Sequence, residues 1–232
     1  MSVIIEVNVP ASLYLRDPRQ TDLGRKIIQK SIELMDKIGF EEFTFKKLAV
    51  EIESTEASVY RYFENKHKLL LYLMAWYWGW LEYKILFQTR NIDAPSDKLK
   101  MIATILSEAM EDDPASTTID EAALHNIVIA ESAKAYLTKH VDDDNQGGAF
   151  LNFKSLCNSI AQIIRQINPA YPYPRALAST MVESALRQAY FSRHLPSLTE
   201  VKSTSGYRIE IAAWLQLLAF SALEYIQPAI NQ

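Results

Sequence analysis

The stretch TFKKLAVEIESTEASVYRYFENKHKLL, residues 44–70, holds the side chains best suited to do chemistry. Lys46, Arg61, Lys66 and Lys68 are cations that can neutralise phosphates, and Arg25 and Lys26 add two more upstream. Tyr60 and Tyr62 offer hydroxyls to phosphate oxygens and rings to thymine methyls. Thr44 and Thr55 stand where helix caps are wanted, and Ser58 is expected on an exposed helix face within reach of a base edge. Taken singly, each cation is an ordinary solvated charge; only their joint placement suggests nucleic acid. Across 44–70 the five Lys/Arg (46, 47, 61, 66, 68) barely exceed the four Glu (51, 53, 56, 64). Glu53 and Glu56 add negative charge at or beside that surface, and three outcomes stay open: a glutamate reads a cytosine, affinity is modest, or DNA binding has decayed. Upstream, Arg16, Arg19, Arg25, Lys26 and Lys30 outweigh Asp17 and Asp22, so a flexible basic arm is expected to reach a groove.

Other chemistries find little support. The sequence has no phosphate-binding glycine loop, no Gly-x-Ser-x-Gly and no His-Glu-x-x-His, so no catalytic or metal site is expected. His67, His125, His140 and His194 are scattered. The acidic run 142–144 reads as a solvated loop rather than a cation site. The lone Cys157 excludes an internal disulfide and suits a reducing cytoplasm. No apolar run is long enough for a membrane span, and the N-terminal residues do not read as a signal peptide. The net charge of −4 means that any surface for nucleic acid must be local.

The elements that position the candidate residues are helical. The apolar spacing predicts a first helix over 22–38, capped by Thr21 and stopped at Gly39. Short helices follow from Thr44 and after Thr55, the latter reaching Tyr62, and Asn65 caps a long helix to about Arg90. Within it, WYWGWLEY (76–83) looks like strand alternation. However, Leu69, Tyr72, Leu73, Trp76, Trp80, Tyr83 and Phe87 share one helical face, and Leu71, Met74, Trp78, Leu81 and Ile85 the other. Such a helix is apolar on two sides.

Further helices are expected from Ser96 as cap, burying Leu99, Ile102, Leu106 and Ala109. Another follows Thr118, burying Ile119, Ala122, Ala123, Ile127 and Ala130. VDDDNQGG (141–148) reads as a loop. Phe150, Phe153, Cys157, Ile160, Ile164 and Ile167 form a seam. The helix over 175–194 carries a small-residue row of Ala178, Val182, Ala185 and Ala189, and the helix over 207–225 is apolar on most of its circumference. Few glycines (6) and continuous helical periodicity give an all-α fold.

The ordered combination of Thr44, Leu48-Ala49, Val59-Tyr60-Arg61-Tyr62-Phe63 and Asn65-Lys66-His67-Lys68-Leu69 resembles the DNA-binding domain of the tetracycline-repressor (TetR) family of bacterial transcriptional regulators. The turn departs from the family pattern, with Glu53, Ser54 and Thr55 where glycine, an apolar residue and Ser or Thr are usual, so it must form without glycine's positive φ. The resemblance implies an N-terminal arm and helix-turn-helix domain over 1–64 and a helical ligand-binding and dimerisation domain over 65–232. It implies a non-enzymatic, cytoplasmic, ligand-responsive regulator, a repressor, that binds double-stranded operator DNA as a homodimer. The same fold with weakened or lost DNA binding, serving as a ligand-binding or protein-interaction module, is the alternative. A hydrophobic small-molecule effector, with no other cofactor, is expected in a cavity of the helices over 96–167, walled by Trp76, Trp80, Phe153 and Cys157. The last two helices are expected to pair with their copies.

Overall fold

A computed structural model describes residues 7–108, 119–202 and 206–224. Among them the chain is helical, without a β-strand. It forms two compact units: Met1–Leu81 with Ala109–Phe153, and Glu82–Glu108 with Lys154–Gln232.

In the first unit, helix α1 (Asp22–Glu42) starts at Thr21, whose hydroxyl accepts the Gly24 N–H. Gly39 breaks it as anticipated, but by a kink rather than a stop: φ 76° and ψ 161° suit glycine alone, and one more turn, Phe40–Glu42, follows. Helix α2 (Phe45–Glu51) is capped by Thr44 and helix α3 (Glu56–Tyr60) by Thr55, each hydroxyl accepting a backbone N–H at 3.2 Å. Helix α4 (Lys66–Gln88) begins with Asn65 accepting the Lys68 N–H. Its residues 69–78 are all buried, which accounts for the large rings at Trp76, Tyr77 and Trp78 as core.

Helix α6 (Glu121–Tyr136) packs on α1. It starts from Asp120; the expected start at Thr118 lies outside the described residues. Ala123 and Ile127 are buried, but Ile119 and Ala122 are only half-buried and Ala130 is exposed. Leu124, Val128 and Ile129 fill the core instead, because α6 is apolar on most sides. VDDDNQGG is not a loop: Val141–Gln146 form helix α7.

Residues 7–20 are not a flexible arm. Val7, Val9 and Leu13 are buried, and Asn152 Nδ2 donates to the Asn8 and Ala75 carbonyls at 2.9 and 2.7 Å. Ser12 Oγ donates to the Gly147 carbonyl, and the Leu15 N–H to that of Tyr62. Residues 7–20 thus strap the helix-turn-helix to α4, α7 and the start of α8 (Leu151–Ile167). Gly24 and Gly79 let the strap lie close. A Cβ at Gly24 would stand 2.2 Å from the Pro18 oxygen, and one at Gly79 2.6 Å from Val7.

The second unit packs α5 (Pro95–Ser107), α9 (Pro174–His194) and α10 (Tyr207–Glu224) on one another, with the rest of α8 (Leu151–Ile167). Ser96 does not cap α5: Pro95 takes the first helical position, where it needs no N–H partner, and Ala94 precedes it. Leu99, Ile102 and Leu106 are buried as expected, while Ala109 and Tyr225 lie outside the described residues. The small-residue row of α9 is buried within the chain. At the end of α4, Tyr83 and Phe87 are exposed, Phe87 at 63%, so the buried aromatic stripe stops at Trp80. Among the described residues no helix is long and apolar enough to cross a membrane.

Candidate nucleic-acid interface

The turn between α2 and α3 is built without glycine, as the sequence demands. Glu53 adopts φ 53°, the left-handed region. Its N–H donates to the Val50 carbonyl at 3.1 Å and the Ser54 N–H to that of Ala49 at 2.9 Å. This pair of bonds is the Schellman closure, normally left to glycine. It ends α2 and turns the chain so that Phe45, Leu48, Ile52 and Val59 share one core.

That packing presents Thr55, Glu56, Ala57, Tyr60 and Arg61 to solvent. Tyr60 is 46% exposed and its ring is held edge-on to Phe45, with centroids 5.0 Å apart. Thr44 and Lys46 are exposed on α2.

Three expected contacts are not available in this geometry. Ser58 does not lie on the exposed face: it is only 8% exposed, and its hydroxyl pairs with Thr55 Oγ1 at 2.9 Å and accepts from the Arg61 guanidinium at 3.1 Å. It faces inward because it lies four residues before the buried Tyr62, on the side of the chain that also carries Val59. Tyr62 is 2% exposed, with its hydroxyl 2.7 Å from Thr21 Oγ1 and Arg16 over its ring. Lys66 donates to the carbonyls of Phe40, Glu41 and Phe43 at 3.0, 3.0 and 3.2 Å. An ammonium has three protons, so Lys66 here closes the end of α1 rather than a phosphate contact.

Other cations are engaged too. Lys47 donates to the backbone and carboxylate of Glu42, and Lys68 to Asp144. Arg25 pairs with Asp22 and the Arg19 carbonyl, Lys26 is half-buried, and Lys30 pairs with Glu33. Arg19 is tied to Asp17 and the Val7 carbonyl, and its guanidinium holds the Asp17 carboxyl below the usual carboxylate range. Glu51, Glu53, Glu56 and Glu64 are all exposed. The structure therefore makes this surface more acidic than the residue count suggests.

Residues 27–73, spanning α1 to the first part of α4, match the family described as bacterial regulatory proteins, tetR family. The likeness to the tetR family rests on this stretch of the chain. Solved structures share its fold at low identity. A tetR-family regulatory protein from Rhodococcus RHA1 is 17% identical, with a TM-score of 0.62 over 87% of this chain and 97% of its own. The fatty acid degradation regulator FadR from Bacillus halodurans is 12% identical, with a TM-score of 0.60 over 89% and 97%. AibR, in complex with isovaleryl coenzyme A and operator DNA, is 16% identical, with a TM-score of 0.56 over 83% and 96%. By sequence, no curated protein matches.

The residues expected to wall an effector cavity are not brought together around one void. A void of about 10 Å³, room for about one water, is lined by α4 and α6 residues including Trp78 and Ser132, and by Phe150 and Phe153. Of the four expected wall residues only Phe153 lines it. Trp76 and Trp80 are buried but do not border the void. Cys157 lies in the other unit, half-buried, its thiol pushed up to about 12 by burial and by Glu183 and Glu82.

Sequence reasoning missed a polar junction between α6 and the end of α1. Glu131 Oε1 accepts the Phe40 N–H at 3.2 Å, and Lys134 bridges Glu131 and Glu41 at 2.7 and 2.9 Å. Burial opposes the Lys134 charge, but the two carboxylates outweigh it and hold its pKa above the ordinary lysine range. Glu131 falls four residues after the inward Ile127. A carboxylate in that register was the available signal.

Proposed function

We propose that this chain is a tetR-family, ligand-responsive transcriptional regulator that binds duplex DNA as a homodimer. The α2–turn–α3 geometry carries the reading. A closed helix-turn-helix presents one face of α3 outward, the arrangement that lets a second helix enter a major groove. AibR, which shares the fold, has been solved with operator DNA and isovaleryl coenzyme A, which supports both a DNA and a ligand partner here.

A homodimer is supported by α10, where Ile209 and Leu217 are 76% and 67% exposed on one face, beside half-buried Trp214 and Phe220. A two-fold pair would set two α3 helices on successive major grooves, roughly 34–36 Å apart. Sedimentation as a monomer at micromolar concentration would remove that part. The effector is proposed to be a mainly hydrophobic small molecule. Entry beside Trp78 would require Phe150 and Phe153, both half-buried, to move.

The test is fluorescence anisotropy at several salt concentrations, on the chain's own upstream duplex and on a scrambled one. Salt-dependent binding that favours the upstream duplex supports the regulator. A second reading, an interaction module without DNA binding, is favoured by the engagement of Lys47, Lys66 and Lys68 within the protein beside exposed glutamates. Absence of binding to either duplex at low salt would select it.

A further inference from the structure

We infer that Glu56 and Ala57 set the sequence preference of the interface, selecting a cytosine with a thymine beside it in each half-site; the inference rests on the DNA-binding reading above. It follows from which groups α3 leaves available. Ser58 and Tyr62 have their hydroxyls satisfied inside the protein and are buried, and Lys66 closes α1. Thr55 caps the helix, accepting the Ser58 N–H. The exposed remainder is Glu56, Ala57, Tyr60 and Arg61. Residues 56, 57 and 60 share a helical face, and 61 lies four residues after 57. Tyr60 leans on Phe45, and Arg61 is steadied by Ser58, so both are held at the flank. Glu56 and Ala57 are exposed side chains of that face with no such tether.

The chemistry of the two is selective. An ionised carboxylate only accepts hydrogen bonds. In the major groove guanine presents the acceptors N7 and O6, and thymine presents O4, so Glu56 is repelled by both. Adenine offers a donor, N6–H₂, but beside the acceptor N7. Cytosine offers the N4–H₂ donor without an acceptor on the same base edge, and is the base a carboxylate favours. Ala57 presents a methyl group, which matches the thymine C5-methyl and gains nothing from cytosine or guanine. The exposed glutamates thereby acquire a role: they oppose non-specific binding, so that affinity depends on finding the matched bases.

The experiment is selection of duplexes from a randomised pool by the wild-type chain and by Glu56→Ala and Glu56→Gln, each checked for folding by circular dichroism. The wild type is expected to enrich one cytosine per half-site, with about tenfold discrimination at that position. Glu56→Ala should lose that preference. Glu56→Gln should move it to adenine, because an amide both accepts from N6 and donates to N7. Replacing the adjacent thymine with deoxyuracil should weaken wild-type binding about fourfold, the worth of one buried methyl. If the wild type binds duplex but all three proteins enrich the same bases, the inference is overturned and the regulator reading stands. If the wild type binds no duplex at low salt, the regulator reading falls with it.

Discussion

Glu53→Gly should stabilise the protein, against the usual direction of a glycine substitution. Glu53 sits at φ 53° and closes the α2–α3 turn through two backbone bonds, which do not involve its side chain. Holding an L-residue in the left-handed region costs about 1–2 kcal/mol. Glycine removes that cost but returns about 0.5–1 kcal/mol as extra freedom of the unfolded chain. The difference is a net gain of about 0.5–1 kcal/mol. Because Glu53 is exposed, no packing is lost. In urea titration the midpoint should rise by a few tenths molar at unchanged slope. Glu53→Val is the control: a β-branched residue is strongly disfavoured at positive φ, and the midpoint should fall. The same Glu53→Gly change removes a negative charge beside the proposed DNA face, so binding to arbitrary duplex should tighten at low salt. A midpoint that drops for glycine, or that rises for valine, would refute the account of this turn.

The remaining predictions concern ties to other elements. Lys66→Met should cost about 1.5–3 kcal/mol in urea unfolding, because the end of α1 loses its charged donor. Its salt slope for DNA should stay at the wild-type value, whereas loss of a phosphate contact would lower it by about one. Gly24→Ala should cost about 1–3 kcal/mol by driving the Pro18 backbone off α1, read by thermal unfolding. At Asp144, burial acts to raise the pKa, but hydrogen bonds from Lys68 and His67 prevail and lower it. Its stabilising contribution is therefore present above the unfolded pKa near 4 and lost as pH falls through the lower folded value. Asp144→Asn should cost about 2–3 kcal/mol at pH 7, less than a fully buried pair because Lys68 keeps water contact. It should also flatten the wild type's loss of stability in acid, as followed by urea titration from pH 7 to 3.

What could be read from the sequence was what short-range spacing encodes. Thr21, Thr44, Thr55 and Asn65 each accept the N–H three residues on, a signal carried within one turn of chain. The strained turn at Glu53 was visible because a glycine was missing where φ had to be positive. The buried rings of α4 followed from its apolar content on two faces. Several of the failures share a cause: they depend on partners far away in sequence. Lys66 looked like a phosphate contact until the carbonyls of Phe40, Glu41 and Phe43, more than twenty residues earlier, were seen to take its protons. The basic arm looked flexible because the groups that hold it, the Gly147 carbonyl and the Asn152 amide, lie more than 130 residues further along the chain. The acidic run 142–144 looked solvated because the partners of Asp144, Lys68 and His67, lie more than seventy residues earlier.

Two of the distant ties, that of Lys66 and that of Glu131 with Lys134, meet at the end of α1 and give the proposed ligand response a physical route. Gly39 separates Phe40–Glu42 from the body of α1, so this last turn can take its orientation from its neighbours. Two helices grip it. From α6, Glu131 holds the Phe40 N–H and Lys134 holds Glu41, with its ammonium 5.9 Å from the Phe40 ring centroid. From α4, Lys66 holds three carbonyls and lies 4.7 Å from the same ring centroid. The void between Trp78 of α4 and Ser132 of α6 lies on these same two helices, and Ser132 directly follows Glu131. A molecule that enters there must displace one helix from the other. A rigid core yields to such a wedge by shifting whole elements rather than by local compression. The grip on Phe40–Glu42 would then change on one side only, and α2, which follows at Phe45, is the next element along the chain. On that proposal, a ligand would control DNA affinity by this route only to the extent that it prefers one arrangement of α4 and α6 over the other. Weakening the grip, as in Glu131→Gln, should therefore reduce the ligand's effect on DNA binding while leaving ligand affinity itself nearly unchanged.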